Sequence, residues 1–212
     1  MSIAAMIQKM SEGLGRSLSI FALTLLFSLP LGLIVAMMRM SRFKILRSVT
    51  KVYLSLLRGT PLMLQLLVVT YGPFHMSVAR NKLIPIIIAF SLNYAAYFAE
   101  IYRGGIESMP VGQYEAAAVL GYSKFRTFMR IILPQVIKRI LPSITNEVIT
   151  LVKDTSMAFT VAYQEMFSIG KQIANSQSSF MPFVIAGVFY YIMNSVVAFV
   201  MGFIEKKLNY YR

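Results

Sequence analysis

Residues 113–135 read QYEAAAVLGYSKFRTFMRIILPQ, an alanine-rich, basic stretch between two strongly apolar segments. Pro110 breaks the preceding helical pattern, and Gln113 to Leu120 are good helix formers. Gly121 tolerates the left-handed conformation that commonly ends a helix, and Ser123 is a candidate N-cap for the next turn. The stretch therefore predicts a short helical hairpin.

The composition places this hairpin in a membrane protein. Of 212 residues, 57% are hydrophobic and 14% charged, and the mean hydropathy is +0.66, well above that of a typical water-soluble domain. Several apolar runs approach the ~20 residues that a helix needs to cross a bilayer. The motif RGTP at residues 58–61 predicts a local break in the second run. We expect one all-α domain over residues 1–212, with five transmembrane helices at about 18–38, 53–74, 83–102, 131–152 and 181–204, and the hairpin loop at about 108–130.

The charge distribution predicts the orientation. The chain has 21 Lys and Arg against 8 Asp and Glu, a net charge of +13. These basic residues concentrate between the apolar runs, which favours a lipid bilayer over nucleic acid as the partner. Fifteen of the 21 lie on the side of the hairpin and the carboxy terminus. The positive-inside rule then predicts a cytoplasmic hairpin and carboxy terminus and an external amino terminus.

The hairpin also carries a spaced motif. Glu115-Ala116-Ala117 is followed after three residues by Gly121, after nine more by Ile131, and then by Leu133-Pro134. This pattern resembles the EAA signature in the cytoplasmic coupling loop of permease subunits of bacterial ATP-binding-cassette (ABC) importers. Three further stretches resemble the subgroup that carries polar amino acids: LLRGTPLMLQL at 56–66, AAYFAEIYRGGIESMPVGQYEAA at 95–117 and LVKDTS at 151–156.

The resemblance implies a multi-pass subunit of a bacterial inner (plasma) membrane that forms the translocation path as a dimer, with an identical or a related permease. It implies two further partners, an ATP-binding ABC subunit and an extracytoplasmic solute-binding protein. The residues that would couple to the ATPase are Glu115, Ala116, Ala117 and Gly121. The chain contains no GxxxxGK[ST] phosphate-binding motif. We therefore expect no catalytic residue, metal or cofactor here, with ATP and Mg bound by the partner ATPase.

Polar residues inside the apolar spans mark a candidate substrate path, because charged and amide groups are costly in hydrocarbon. On the third helix, helical spacing puts Asn93, Tyr97 and Glu100 on one face. The fourth helix offers the remaining candidates, which are Asn146, Glu147, Thr150, Lys153, Asp154 and Ser156. Together they would supply acceptors for an ammonium group and donors for a carboxylate. The alternative is that the asparagines are interhelical hydrogen-bond partners and that the charges form an interfacial pair.

Two other classes of function are compatible with a polytopic protein. A passive channel or a secondary carrier for small polar solutes would need no ATPase, but would more often show internal repeats. A membrane enzyme is disfavoured, because the sequence shows no metal-ligand spacing, nucleophile elbow or His-containing dyad, and a single His leaves little material for acid–base chemistry.

Overall fold

The computed structural model describes residues 1–73 and 81–208, and all regular secondary structure in this part of the chain is helical, which confirms the predicted all-α class. Its α-helices are α1 (Ile3–Arg39), α2 (Lys44–Gly59), α3 (Leu62–Tyr71), α4 (Leu83–Glu107), α5 (Val111–Val119), α6 (Lys124–Thr127), α7 (Leu133–Asp154), α8 (Met166–Gln177) and α9 (Met181–Leu208). A π-helical turn, Phe128–Ile132, precedes α7, and a 3₁₀ segment, Thr155–Val161, follows it. The predicted end of the second span at residue 74 and the terminal Arg212 lie outside the described residues.

The second predicted span is not one helix, which corrects its expected course over 53–74. Helical structure begins earlier, at Lys44, and α2 and α3 meet at an angle of 108°. Pro61 is responsible, because it lacks an N–H group and disfavours helical geometry at the residue before it. The RGTP motif thus predicted the position of the break correctly, but not the angle between the two helices.

Three helices in the described ranges, α1, α4 and α9, are long and apolar enough to cross a membrane. The bent pair α2 and α3 makes a fourth candidate if it is counted as one span. Helix α7 has 22 residues but carries Lys138, Arg139, Glu147, Lys153 and Asp154. These charges keep its mean hydropathy low, so the count of five spans stays a prediction.

Helix α4 occupies the centre of the bundle and packs against α1, α2, α3 and α7. Its large side chains Phe90, Tyr94 and Phe98 are buried in the main apolar core. Helix α1 approaches α4 closely at Gly32, where an added Cβ would lie 2.9 Å from the Cβ of Phe98 and 3.1 Å from the carbonyl oxygen of Ala95. Small residues commonly permit such close packing between membrane helices.

The hairpin consists of α5 and α6 and lies between α4 and α7. Pro110 precedes the first residue of α5, and Gly121 has a φ of +75° in the connecting turn. The Ser123 hydroxyl accepts a hydrogen bond from the backbone N–H of Arg126 at the start of α6. The local turn and capping signals thus act where the sequence predicted.

Candidate functional site

A buried contact joins α4 to the end of α7. The hydroxyl of Tyr94, which is 2% exposed, donates to Oδ2 of Asp154 at 2.7 Å. The half-buried Glu147 lies two turns earlier on α7. Two carboxyl groups that are at least partly shielded from solvent therefore lie along the same helix, and a cationic group would be attracted to them.

The polar side chains Tyr94, Glu147 and Asp154 begin a polar cluster that continues along α4 towards its carboxy end and includes Tyr97, Glu100 and Arg58. The Tyr97 ring lies 6.4 Å from that of Tyr94, and the Arg58 guanidinium lies 5.4 Å from the centre of the Tyr97 ring. Glu100 accepts two hydrogen bonds from Arg103, at 3.1 and 2.7 Å. Arg58 approaches the same carboxylate at 3.6 Å. One line of polar side chains thus connects Asp154 to the last turns of α4.

Asn93 has a different environment from the other candidates on α4. Its buried side-chain amide donates to the Leu57 carbonyl at 3.1 Å and to Oε1 of Gln65 at 2.9 Å. Gln65 in turn donates to the carbonyls of Leu57 and Thr60, at 2.8 and 3.1 Å. The break between α2 and α3 removes the helical partners of these carbonyls, and the two amides replace them.

The other candidates on α7 and beyond it are less enclosed. Asn146 and Lys153 are exposed, and Thr150 is half-buried. The half-buried Ser156 donates its hydroxyl to the Lys153 carbonyl at 2.8 Å. The direct contact between the two candidate faces runs through Tyr94, which the sequence analysis missed. The only available signal was its position beside Asn93, since helical spacing does not identify the partner helix.

The hairpin presents the EAA residues in two environments. Glu115 and Ala116 are exposed, whereas Ala117 is buried. Gly121 has open space around the position of a Cβ, so its positive φ is the reason why glycine suits this position. Around the turn, Val119, Leu120 and Phe125 are 88%, 74% and 76% exposed. The hairpin therefore has an apolar tip beside one carboxylate.

A reciprocal amide pair fastens the hairpin to α7. Gln113 donates to Gln135 at 3.0 Å, and Gln135 donates to Gln113 at 2.9 Å. Arg139 of α7 also donates to the carbonyl and hydroxyl oxygens of Ser108, at 2.7 and 3.0 Å. The sequence analysis singled out neither glutamine as a contact residue, because their separation of 22 residues is no local pattern.

Glu165 is a second residue that the sequence analysis missed. It is 0% exposed and caps α8, accepting from the N–H groups of Phe167 at 2.7 Å and Ser168 at 2.6 Å. The hydroxyls of Ser17 on α1 and Tyr190 on α9 donate to it at 3.3 and 3.4 Å. Burial raises the pKa of this carboxyl to about 7, although the hydrogen bonds act in the opposite direction. One carboxyl thus links three helices.

Within residues 1–73 and 81–208, no group of three or more His, Asp or Glu side chains is arranged to hold a metal ion. The candidate functional features of the described residues are the polar cluster and the exposed hairpin.

A polytopic helical bundle with an acidic cluster between its helices and a hairpin standing out from it has the architecture of a membrane transport subunit. The chain belongs to the family of binding-protein-dependent transport system inner membrane components, whose pattern matches residues 28–210. It is 35% identical over 204 residues to the L-cystine transport system permease protein TcyB of Bacillus subtilis (strain 168), covering 95% of this chain and 87% of TcyB. It is also 38% identical to the octopine transport system permease protein OccM of Rhizobium radiobacter, with coverage of 91% and 82%.

Solved structures agree with this assignment. A crystal structure of an amino acid ABC transporter with histidines superposes with a TM-score of 0.87 at 28% identity, over 98% of this chain and 99% of that chain. An inward-facing structure of the MetNI methionine ABC transporter has a TM-score of 0.76 over 99% of this chain and 100% of that chain, and at 19% identity it supports the fold alone. The chain is thus a permease of the amino-acid ABC transporter type, as its motifs predicted.

Proposed function

We propose that this chain is the membrane-spanning subunit of an ATP-driven importer for polar amino acids, and that it forms the translocation path as a dimer. The relatives named above are amino-acid and opine transport permeases. In this proposal a solute-binding protein delivers the substrate from outside, and a separate ATP-binding subunit holds ATP and Mg. The amino terminus is external and the carboxy terminus cytoplasmic, in keeping with the charge distribution.

The observation that carries the proposal is the exposed hairpin. Val119, Leu120 and Phe125 present large apolar side chains at its turn. Apolar residues clustered beside a charge are typical of a protein contact surface, because their burial against a partner is favourable. We infer that the ATPase binds this tip and that Glu115 forms a charged contact at its edge. The glutamine pair and Arg139 then carry the movement of the hairpin into α7.

We propose further that the substrate contacts the acidic part of the polar cluster. Glu147 and Asp154 offer acceptors for an ammonium group, and the nearby hydroxyls and Lys153 offer donors for a carboxylate. Carboxylates in a shielded site favour a cationic or neutral polar amino acid over an acidic one. Tyr94 keeps the Asp154 carboxylate directed towards α4 by its hydrogen bond.

Coupling can be tested by reversing one charge. Glu115→Lys should leave the bundle folded but reduce co-purification of the ATPase, because it reverses a charge at the contact. Glu12→Lys is the matched control, since Glu12 is also exposed but lies on α1. If Glu115→Lys co-purifies and transports like the control, the coupling assignment is wrong.

The turn offers an independent test of the same surface. A side chain at Gly121 must adopt a positive φ, which costs roughly 1–2 kcal/mol for an L-residue. Gly121→Val should therefore distort the tip and weaken ATPase binding. Gly112→Val is the control, because Gly112 has open space around it and an ordinary φ. Equal ATPase binding by the two variants would contradict the assignment.

Uptake assays separate the importer from a passive channel or carrier. Proteoliposomes containing the purified complex should accumulate substrate only with ATP, and lysine or glutamine should compete better than glutamate. Asp154→Asn should weaken competition by lysine more than competition by glutamine. Uptake without ATP would exclude the ATP-driven function, and competition by glutamate alone would exclude the acidic site.

A further inference from the structure

An open cavity of about 450 Å³ lies where the end of α1 meets α2 and α4. Three cationic side chains line it, Arg39, Lys51 and Arg58, together with Ser55 and Tyr97. It shares Arg58, Tyr97 and Glu100 with the polar cluster, but its charge is opposite to that of the Glu147 and Asp154 end of the cluster. The cations come from two helices, so the cavity depends on the packing of α1 against α2.

The charges in this cavity are not balanced by the protein. Glu100 is the carboxylate that lines it, and Arg103 already binds Glu100 through two hydrogen bonds. Arg58 shares the same carboxylate at 3.6 Å. Within the described ranges, Arg39 and Lys51 form no ion pair. The cavity thus has a net positive charge and attracts an anion.

The surface of α2 shows which anion fits. At about 100° per residue, Lys44, Arg47, Lys51 and Arg58 fall in one sector about 60° wide. A second sector begins about 80° further round the helix and contains Ile45, Val49, Val52 and Leu56. These apolar side chains are 56–82% exposed. Cations beside an exposed apolar stripe are typical of a helix that contacts phosphate headgroups and acyl chains together.

We propose that this cavity binds the phosphate group of an anionic phospholipid, whose acyl chains lie along the apolar stripe of α2. Arginine suits a phosphate, because its planar guanidinium donates two parallel hydrogen bonds, and Lys51 adds a point charge. The orientation predicted from the basic residues places the cavity near the cytoplasmic leaflet, where anionic lipids attract such clusters. A free phosphate ion has the same anionic group as the lipid headgroup, but it has no acyl chains that could contact the apolar stripe of α2. The phosphodiester of the bound lipid carries one negative charge, which offsets one of the two unpaired positive charges of Arg39 and Lys51 and holds α2 against α1.

The test compares two pairs of neutralised cations in the full-length protein, purified with any subunits that accompany it. The complex is reconstituted in nanodiscs of phosphatidylcholine with phosphatidylglycerol, and retained lipid is counted by native mass spectrometry. Arg39→Gln with Lys51→Gln should weaken phosphatidylglycerol binding by at least about tenfold, since two charge-assisted contacts are lost. Lys206→Gln with Lys207→Gln removes the same charge from the last turn of α9, outside the cavity lining and outside the cationic sector of α2, and should retain the lipid.

Three results would overturn the proposal. The first is equal retention of phosphatidylglycerol by both paired variants, with gel filtration showing both folded. The second is displacement of the lipid by millimolar inorganic phosphate, which would assign the cavity to a soluble anion. The third is disulfide crosslinking of Val52→Cys between two chains with no retained lipid, which would assign the stripe to a dimer contact. The chain contains no Cys, so such a crosslink would be unambiguous.

Discussion

Replacing Gln113 by Met keeps the length of the side chain but removes both hydrogen bonds to Gln135. A neutral hydrogen bond contributes about 0.5–1.5 kcal/mol net, so the pair contributes about 1–3 kcal/mol. Both amides are half-buried, so water can form some of the hydrogen bonds that the substitution removes. We therefore expect Gln113→Met to lower the local stability of α5 by about 1–2 kcal/mol. Gln135→Met should lower this stability further than Gln113→Met does, because Gln135 also donates a hydrogen bond to the Ile131 carbonyl at 2.7 Å.

Hydrogen exchange of the α5 amides measures this local stability directly. A loss of 1–2 kcal/mol corresponds to about 5–30-fold faster exchange. The double variant should cost less than the sum of the two single variants, because each single change already breaks the shared bonds. Gln8→Met is the control, since Gln8 is an exposed glutamine on α1, and it should leave exchange in α5 unchanged.

Strictly additive single effects, or unchanged exchange in α5, would refute the role given to this pair. A functional readout distinguishes tethering from ATPase binding. If the pair transmits movement, the single variants should keep the ATPase bound but import less substrate for each ATP hydrolysed. Loss of ATPase co-purification would instead place the glutamines in the contact surface itself.

Three further predictions concern other parts of the fold. Burial raises the pKa of Glu165 to about 7, above the ~4.3 of a glutamate in an unfolded chain, so the free energy of unfolding should fall as pH rises between these values, where the unfolded state has already lost its proton. Glu165→Gln should reduce this pH dependence in thermal unfolding from pH 5 to 8. An unchanged pH dependence would assign the effect to another group. Gly32→Ala should destabilise the packing of α1 on α4 by about 1–3 kcal/mol, whereas Gly15→Ala, which meets open space, should be neutral in the same melt. Reporter fusions at Gly112 and Arg212 should both read as cytoplasmic, and an external signal from either would overturn the predicted topology.

The parts of the fold that were predictable from sequence depend on local chemistry. Pro110, Gly121 and Ser123 act on their own backbone, through a missing N–H, a positive φ and a capping hydroxyl. The i, i+3 spacing of Glu100 and Arg103 likewise places them on one helix face, where they form an ion pair. Such features need no knowledge of distant contacts.

The contacts between helices were less accessible. Helical spacing places Asn93 and Tyr97 on one face but does not say which helix covers that face. The structure turns Asn93 towards the break between α2 and α3, while its neighbour Tyr94 reaches Asp154. Glu165 was missed for a related reason, because glutamate is not among the preferred N-cap residues and its donors come from α1, α8 and α9.

The braced break between α2 and α3 has a mechanical consequence. Because the amides of Gln65 and Asn93 satisfy its free carbonyls, the corner resists opening, and α2 and α3 turn together as one L-shaped lever. The 16 residues of α2 and the 10 residues of α3 give arms of about 24 and 15 Å at ~1.5 Å per residue. A rotation about the corner that moves the start of α2 by a given distance therefore moves the far end of α3 by about 0.6 of that distance.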